Sequence, residues 1–141
     1  MAINTGKVIT GGLLAGLVFS VFDVLFNSTF LAADNMEMIS RLNLDPAVGT
    51  SFAYAIPWIL IDFALGLLVV WTYAAMRPRF GPGSKTAILA GMVPYIAVSV
   101  VLLGFTTMGV FTMGMFVKNT ALVAITVIAG SVAGARVYTE T

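Results

Sequence analysis

Residues 52–85 have the sequence FAYAIPWILIDFALGLLVVWTYAAMRPRFGPGSK, a long apolar run that ends in a short basic loop. A helix needs about 20 apolar residues to cross the hydrocarbon core of a bilayer, so this run is long enough to span it. Three further stretches of the chain are comparably long and apolar. The predicted spans are residues 8–33, 52–76, 86–108 and 111–138.

The composition indicates the same class of protein. Apolar residues make up 60% of the chain and charged residues 9%, whereas an ordinary soluble domain has about 45–50% and about 25%. A chain of 141 residues forms one domain by default and is too small to bury this apolar excess in its own core. We therefore expect an all-α, polytopic membrane protein. Its short loops favour a four-helix bundle with antiparallel neighbours, in contact with the lipid bilayer.

Two residue types that carry much of enzyme chemistry are missing, because the chain contains neither Cys nor His. Thiolate and imidazole metal ligands are therefore absent, as is the usual general base at neutral pH. The sequence contains no recognisable nucleophile–base pair or phosphate-binding loop. We expect no enzymatic activity, no cofactor and no resident metal, and the net charge of +1 gives no reason to expect nucleic acid as a partner.

The charges between the spans predict an orientation. Residues 77–85 carry three positive charges and no negative one, whereas residues 34–51 carry three acids and one arginine. Cytoplasmic loops are enriched in Lys and Arg. We therefore expect both termini on the cytoplasmic side of an inner membrane. In that orientation Lys7, Arg77, Arg79, Lys85 and Arg136 lie inside, and Arg41 and Lys118 lie outside.

The connecting segments also predict local structure. Arg77-Pro78 is expected to end the second helix, because the residue before proline avoids the helical region. Ser84 is expected to be the N-cap of the third helix. In the first outer loop, apolar side chains share one face of residues 35–43, which predicts a short interfacial helix.

Small residues recur at helical spacing along the spans. Glycines four residues apart allow helix backbones to approach closely, which is one way in which membrane helices associate. The simplest interpretation is that these glycines form the seams of the bundle. The predicted packing positions are Gly12, Gly16, Gly66, Gly91, Gly130 and Gly134.

Polar side chains are predicted to form a layer near the middle of the membrane. Asp23 and Asp62 each lie about ten residues, or about 15 Å, from the outer ends of their predicted spans. A charged carboxylate at that depth costs at least about 2.5–3.5 kcal/mol. The acids could share a proton, pair with Lys118 or coordinate a cation, and otherwise they act as interhelical hydrogen-bonding groups. The predicted layer comprises Asp23, Asn27, Asp62, Ser99 and Thr126, with Lys118 as a candidate partner.

A second cluster consists of methionines near the outer ends of the helices. Thioethers bind Cu(I), so an outer copper site is one hypothesis. The alternative is that these residues are flexible apolar fillers. The methionines concerned are Met36, Met38, Met108, Met113 and Met115.

Three sequence features resemble a group of small bacterial membrane proteins with four helices and no assigned activity. They are NTGKV at residues 4–8, the pair Asp23 and Asn27, and VWTYAAMRPRFGPG at residues 70–83. The resemblance covers most of the chain and implies a bacterial origin and the same topology. That group tends to carry Glu at the position of Asp23 and often an acid near the position of Thr126.

Two functional hypotheses follow from these patterns. The first is a non-enzymatic interaction protein, either a homo-oligomer or an accessory subunit of a larger membrane complex. The second is a proton- or cation-coupled transporter that uses Asp23 and Asp62. A direct bond from either acid to Lys118 or Ser99 would favour a structural role for the acids, whereas access for water would favour transport.

Overall fold

The structure is a computed structural model that describes residues 3–140, and its regular elements are all helical. Four helices are long and apolar enough to cross a membrane, and a short helix lies between the first two of them. The predicted all-α fold with four potential spans is confirmed. The helices are α1 (Thr5–Ser28), α2 (Ala32–Arg41), α3 (Phe52–Phe80), α4 (Ser84–Thr107) and α5 (Met113–Val137), with a single 3₁₀ turn at Pro46–Gly49.

The first long helix ends earlier than its predicted boundary at residue 33. It stops at Ser28, where the hydroxyls of Ser28 and Thr29 both donate to the carbonyl of Leu25. Short polar side chains of this kind compete with the helical ladder for backbone groups. The chain then begins a separate helix, α2, which corresponds to the predicted interfacial helix.

The ends of α3 and α4 also differ from the predictions. Arg77-Pro78 does not end α3, which continues to Phe80, because a proline in the last turn removes only one ladder bond. The helix ends at Gly81, whose positive φ of 79° suits glycine. Ser84 is not the N-cap of α4. Gly83 occupies that position, and the Thr86 hydroxyl donates to the carbonyl of Gly81 at 2.8 Å.

The long helices pack in an up-down-up-down bundle. α1 packs against α3 and α5, and α4 packs against the same two helices. Neighbours in the chain are therefore neighbours in space, as short connections require. α1 and α4 occupy opposite corners of the bundle.

The buried core lies toward one end of the bundle, the end at which α1 and α4 begin and α3 and α5 finish. We call this part the inner half, following the predicted orientation, and the remainder the outer half. Buried residues of α3 run from Gly66 to Ala74, and those of α4 run from Thr86 to Pro94. The central cluster consists of Val8, Ala15, Val70, Tyr73, Ala74, Ala87, Ala90, Ala135 and Tyr138.

Glycines bring the helix backbones together in the inner half. A Cβ added to Gly12 would stand 2.7 Å from the Cα of Leu67, and one added to Gly16 would stand 2.7 Å from the Cα of Phe63. Gly66 fits between the backbones of Gly12 and Gly16. The other predicted packing glycines also lie at helix contacts: Gly91 faces Ser131, Gly130 faces Phe19, and Gly134 faces the carbonyl of Gly11.

Candidate functional site

Asp23 and Asp62 lie on the two helices that the glycines bring together. Both side chains are half-buried, and the two carboxyl groups are close enough to interact. Gly16 faces Phe63, and α1 and α3 are antiparallel, so Asp62 is level with the residue after Gly16. Asp23 therefore lies six residues, or about 9 Å, nearer the outer end than Asp62.

The two acids are therefore staggered rather than level, and the expectation of a single layer is wrong. The prediction failed because it extended the first helix to residue 33. The helix stops at Ser28, so Asp23 lies only five residues from its outer end. Helical side chains lean toward the helix N-terminus, and these helices are antiparallel. The two carboxylates consequently lean toward one another, which shortens the gap between them.

Ser20 lies between the acids along the axis of the bundle. It is 9% exposed, and its buried Oγ makes no hydrogen bond of normal length, although it lies close enough to interact with the Asp62 carboxylate. Oδ2 of Asp62 is also buried without a partner. Unpartnered buried polar atoms are uncommon in proteins, so each calls for an explanation. Within residues 3–140, two of the three unpartnered buried side-chain oxygens belong to this pair.

Asn27 connects the acids to the short outer helix. Its Nδ2 donates to the backbone carbonyl of Asp23 at 2.9 Å, and its Oδ1 accepts from Nδ2 of Asn35 at 2.9 Å. Both ends of the amide are therefore engaged. Asn27 lies next to Asp23, but its oxygen is already bonded to α2.

Ser99 and Thr126 do not join the acids. Ser99 lies on α4, which packs against α3 and α5, and it lines an open groove of about 240 Å³ in the outer half. Thr126 lies on α5 and is buried, and its hydroxyl donates to the carbonyl of Leu122 in the same helix at 3.3 Å. The cluster that the structure assembles is therefore Asp23, Asp62 and Ser20, with Asn27 at its outer edge.

Lys118 pairs with an acid that the sequence analysis did not consider. Its Nζ donates to both carboxylate oxygens of Asp34 on α2, at 2.9 and 3.1 Å. The hypothesis that Lys118 neutralises Asp23 or Asp62 is therefore wrong. Lys118 lies near the outer end of α5, where Asp34 is within reach and the buried acids are deeper. Neither buried acid takes part in a salt bridge within residues 3–140.

The outer methionines do not gather into one cluster. Met38 and Met115 line the same small pocket of about 10 Å³, beside Asp34 and Glu37. Three others are exposed, and Met108 reaches 75%. In the described part of the chain, no three His, Cys, Asp or Glu side chains form a possible metal site. The arrangement is the one expected of apolar fillers.

The polar layer predicted from the sequence did not include Ser20. It precedes Asp23 by three positions, so both lie on one face of α1, and this spacing was the available signal. The partner of Lys118 had no comparable signal, because Asp34 is 84 residues away in the chain.

Comparison of the chain with protein-family models, with curated proteins and with solved structures finds no match. The similarity to small bacterial membrane proteins therefore stays a prediction. The arguments about function rest on the geometry of the acids and on the charges at the two ends of the bundle.

Proposed function

We propose that this chain is a proton- or cation-coupled membrane protein in which Asp23 and Asp62 take up and release the ion. The observation that carries the proposal is that two half-buried acids lie near one another, with the Ser20 hydroxyl beside Asp62 and with no cation of residues 3–140 paired to either acid. An ion bound there would supply the missing partner. An intramembrane acid is by default a candidate for an ion path.

The energetics favour this role over structural hydrogen bonding. A charged carboxylate in the membrane costs at least about 2.5–3.5 kcal/mol, whereas an interhelical hydrogen bond returns about 0.6 kcal/mol. Within residues 3–140 no cation is paired with Asp62, and Lys118 is bonded to Asp34. A captured proton or cation would offset the cost that the protein leaves uncompensated.

The ligand set favours a proton over a metal cation. Hard cations such as Ca²⁺ take about six to eight oxygen ligands. The assembled cluster offers two carboxylates and the hydroxyl of Ser20, because the Asn27 oxygen accepts from Asn35. A proton needs only one oxygen at a time, and the stagger of the acids provides two successive positions along the membrane normal.

Flux measurements in liposomes test the proposal. The purified protein is reconstituted with a pH-sensitive dye in the lumen, and a potassium diffusion potential drives proton entry. We expect Asp62→Asn and Asp23→Asn to abolish the flux and Ser20→Ala to slow it. Glu37→Gln, which removes an acid of α2 outside the cluster, should leave it unchanged. A wild type without flux of protons or sodium ions, or two Asn variants with full flux, would contradict the proposal.

A second candidate function is that of an interaction protein, a homo-oligomer or an accessory subunit of a larger complex. It is favoured by the outer half, where α3 buries no residue before Gly66 and α4 buries none after Pro94. Lipid or another protein must cover these surfaces. Mass determination in detergent tests self-association, and repeated co-purification of one large partner from native membranes would support the accessory role.

Localisation in a bacterial inner membrane, with both ends in the cytoplasm, forms part of the proposal. It is supported by the five-to-two division of basic residues between the two ends. Cysteines introduced at Ser84 and at Asn43 would test it. Because the natural chain has no cysteine, an impermeant thiol reagent applied to intact cells should label position 43 and spare position 84.

A further inference from the structure

The inner end of the bundle carries basic side chains that the fold leaves unpaired. Each long helix contributes one of them, and we call this set the inner rim: Lys7 of α1, Arg79 of α3, Lys85 of α4 and Arg136 of α5. None of the four side chains makes a salt bridge or a hydrogen bond within residues 3–140. Three of them are exposed and Lys7 is half-buried.

Arg77 shows that pairing is possible at this end but is confined to one residue. Its guanidinium lies 5.8 Å from the ring centre of Tyr73 and 5.4 Å from that of Tyr138. Its Nε is 3.7 Å from Oε1 of Glu140, the acidic side chain at this end in the described range. Arg77 thus has both aromatic and acidic partners, and within residues 3–140 no other acidic side chain at this end is left for the inner rim.

At the outer end, by contrast, both basic side chains have partners within the chain. Lys118 is bonded to Asp34, and the guanidinium of Arg41 donates to the carbonyls of Gly109 and Val110. Both outer cations are therefore satisfied within the chain. An excess of basic residues at one end does not by itself require that they be unpaired. The sequence shows that basic residues are in excess at the inner end, and the structure shows in addition that those of the inner rim are unpaired within residues 3–140.

From this contrast we infer that the inner rim binds the headgroup phosphates of anionic phospholipids in the adjoining leaflet. Basic residues at a membrane surface attract anionic lipids, and phosphate is a strong acceptor for Arg and Lys. Phe80 lies beside Arg79 and is 55% exposed, which gives this edge an apolar side chain to insert among the lipids. Because every long helix supplies one cation, bound headgroups would bridge helix ends and stabilise the bundle. The inference is independent of ion movement through Asp23 and Asp62.

Thermal unfolding of the full chain in nanodiscs tests this inference. Discs of phosphatidylcholine are compared with discs in which part of the lipid is replaced by phosphatidylglycerol. We expect the wild type to unfold at a higher temperature with phosphatidylglycerol. The variant with Lys7, Arg79, Lys85 and Arg136 all changed to Gln should lose most of that shift. The matched control, Arg41→Gln with Lys118→Gln, should keep it despite a lower basal stability.

Lipid retention provides a second readout that does not depend on unfolding. Native mass spectrometry of protein released from mixed discs should show severalfold enrichment of phosphatidylglycerol on the wild type, and each single Gln variant of the inner rim should reduce it. High salt should weaken the enrichment. Equal retention of both lipids by the wild type would overturn the inference. So would a stabilisation reproduced by inorganic phosphate in phosphatidylcholine discs, because the ligand would then be a free anion.

Discussion

The two halves of the bundle are held together in different ways. In the inner half, glycines place helix backbones in contact, and small side chains fill the centre. In the outer half the long helices bury little of one another, and α2 is fastened across them by charged side chains. Asp62 lies one turn outward of Gly66, and Ser20 lies one turn outward of Gly16. The unpartnered acid and hydroxyl therefore stand where the tight packing ends.

The two halves are therefore suited to different roles. Close-packed interiors resist small displacements, so the inner half is suited to hold the helices in register. The outer half has fewer fixed contacts and can change its spacing at lower cost. An ion site at the boundary between the two halves would have closely packed helices on its inner side. On its outer side the helices could separate more easily.

The substitution with the largest expected effect tests the inner half. In Gly66→Ala, the new Cβ would collide with the carbonyl oxygen of Gly12 and stand 2.5 Å from the backbone nitrogen of Gly16. Because backbone atoms cannot rotate away, α1 and α3 must separate. Overpacking of this kind costs about 1–3 kcal/mol. Thermal unfolding in detergent should show a marked fall in midpoint.

Gly104→Ala is the matched control in the outer half. A Cβ at Gly104 meets nothing within 4 Å, and alanine favours the helix over glycine by about 1 kcal/mol. Stability should therefore be unchanged or slightly raised. Equal losses in Gly66→Ala and Gly104→Ala would show that the halves do not differ in packing.

The next prediction concerns Arg77 at the inner end. In Arg77→Met the long apolar stem is kept, but the charge that faces Tyr73, Tyr138 and Glu140 is removed. A cation–π contact is worth about 0.5–2 kcal/mol depending on its burial, so we expect a loss of about that size in unfolding free energy. In detergent without anionic lipid, Arg79→Met removes a charge two residues away with no such contacts and should have little effect. A larger loss in Arg79→Met would contradict the assignment.

The sequence could predict the number of long helices and their packing faces, because both depend on local patterns. Long apolar runs indicate the spans, and glycines at helical spacing indicate seams. The end of α1 could not be predicted in this way. The apolar sequence continues through Leu31 to Ala33. The helix nevertheless ends at Ser28, where the hydroxyls of Ser28 and Thr29 donate to a backbone carbonyl. A hydropathy pattern does not register such hydrogen bonds.

The candidate site was predictable only in part, for a related reason. Asp23 and Asp62 could be chosen from the rarity of acids in apolar spans, but their relative depth follows from the register that Gly16 and Phe63 set. The placement of Ser99 depends on which helices are neighbours, and α4 lies at the corner opposite α1. Several acids lie near the outer surface as possible partners of Lys118, and only the tertiary fold shows that the partner is Asp34.

A smaller effect is expected from the bond between α2 and α5 in the outer half. Lys118 and Asp34 are paired at 2.9 Å, with side chains that are 57% and 20% exposed. Exposed salt bridges contribute about 0.2–1 kcal/mol. A double-mutant cycle with Lys118→Gln and Asp34→Asn should give a coupling free energy in that range. The charge-swapped pair, Lys118→Asp with Asp34→Lys, should recover part of it, and zero coupling would mean that α2 is held by its apolar contacts alone.

An effect of similar, small size is expected from one hydrogen bond between α4 and α5. The hydroxyl of Tyr95 donates to the carbonyl of Thr120 at 3.1 Å, and both residues line the open groove of the outer half. Tyr95→Phe removes this bond without changing the ring, and hydrogen bonds between membrane helices average about 0.6 kcal/mol. Tyr54→Phe is the matched control, because the Tyr54 side chain is exposed and makes no hydrogen bond in the described range. If Tyr95→Phe destabilises the protein as much as Gly66→Ala does, the outer half is held as firmly as the inner half, and a deformable approach to the acids is ruled out. A loss limited to a few tenths of a kcal/mol would instead mean that side-chain bonds contribute little to the outer half, and that its spacing is set mainly by the surrounding lipid.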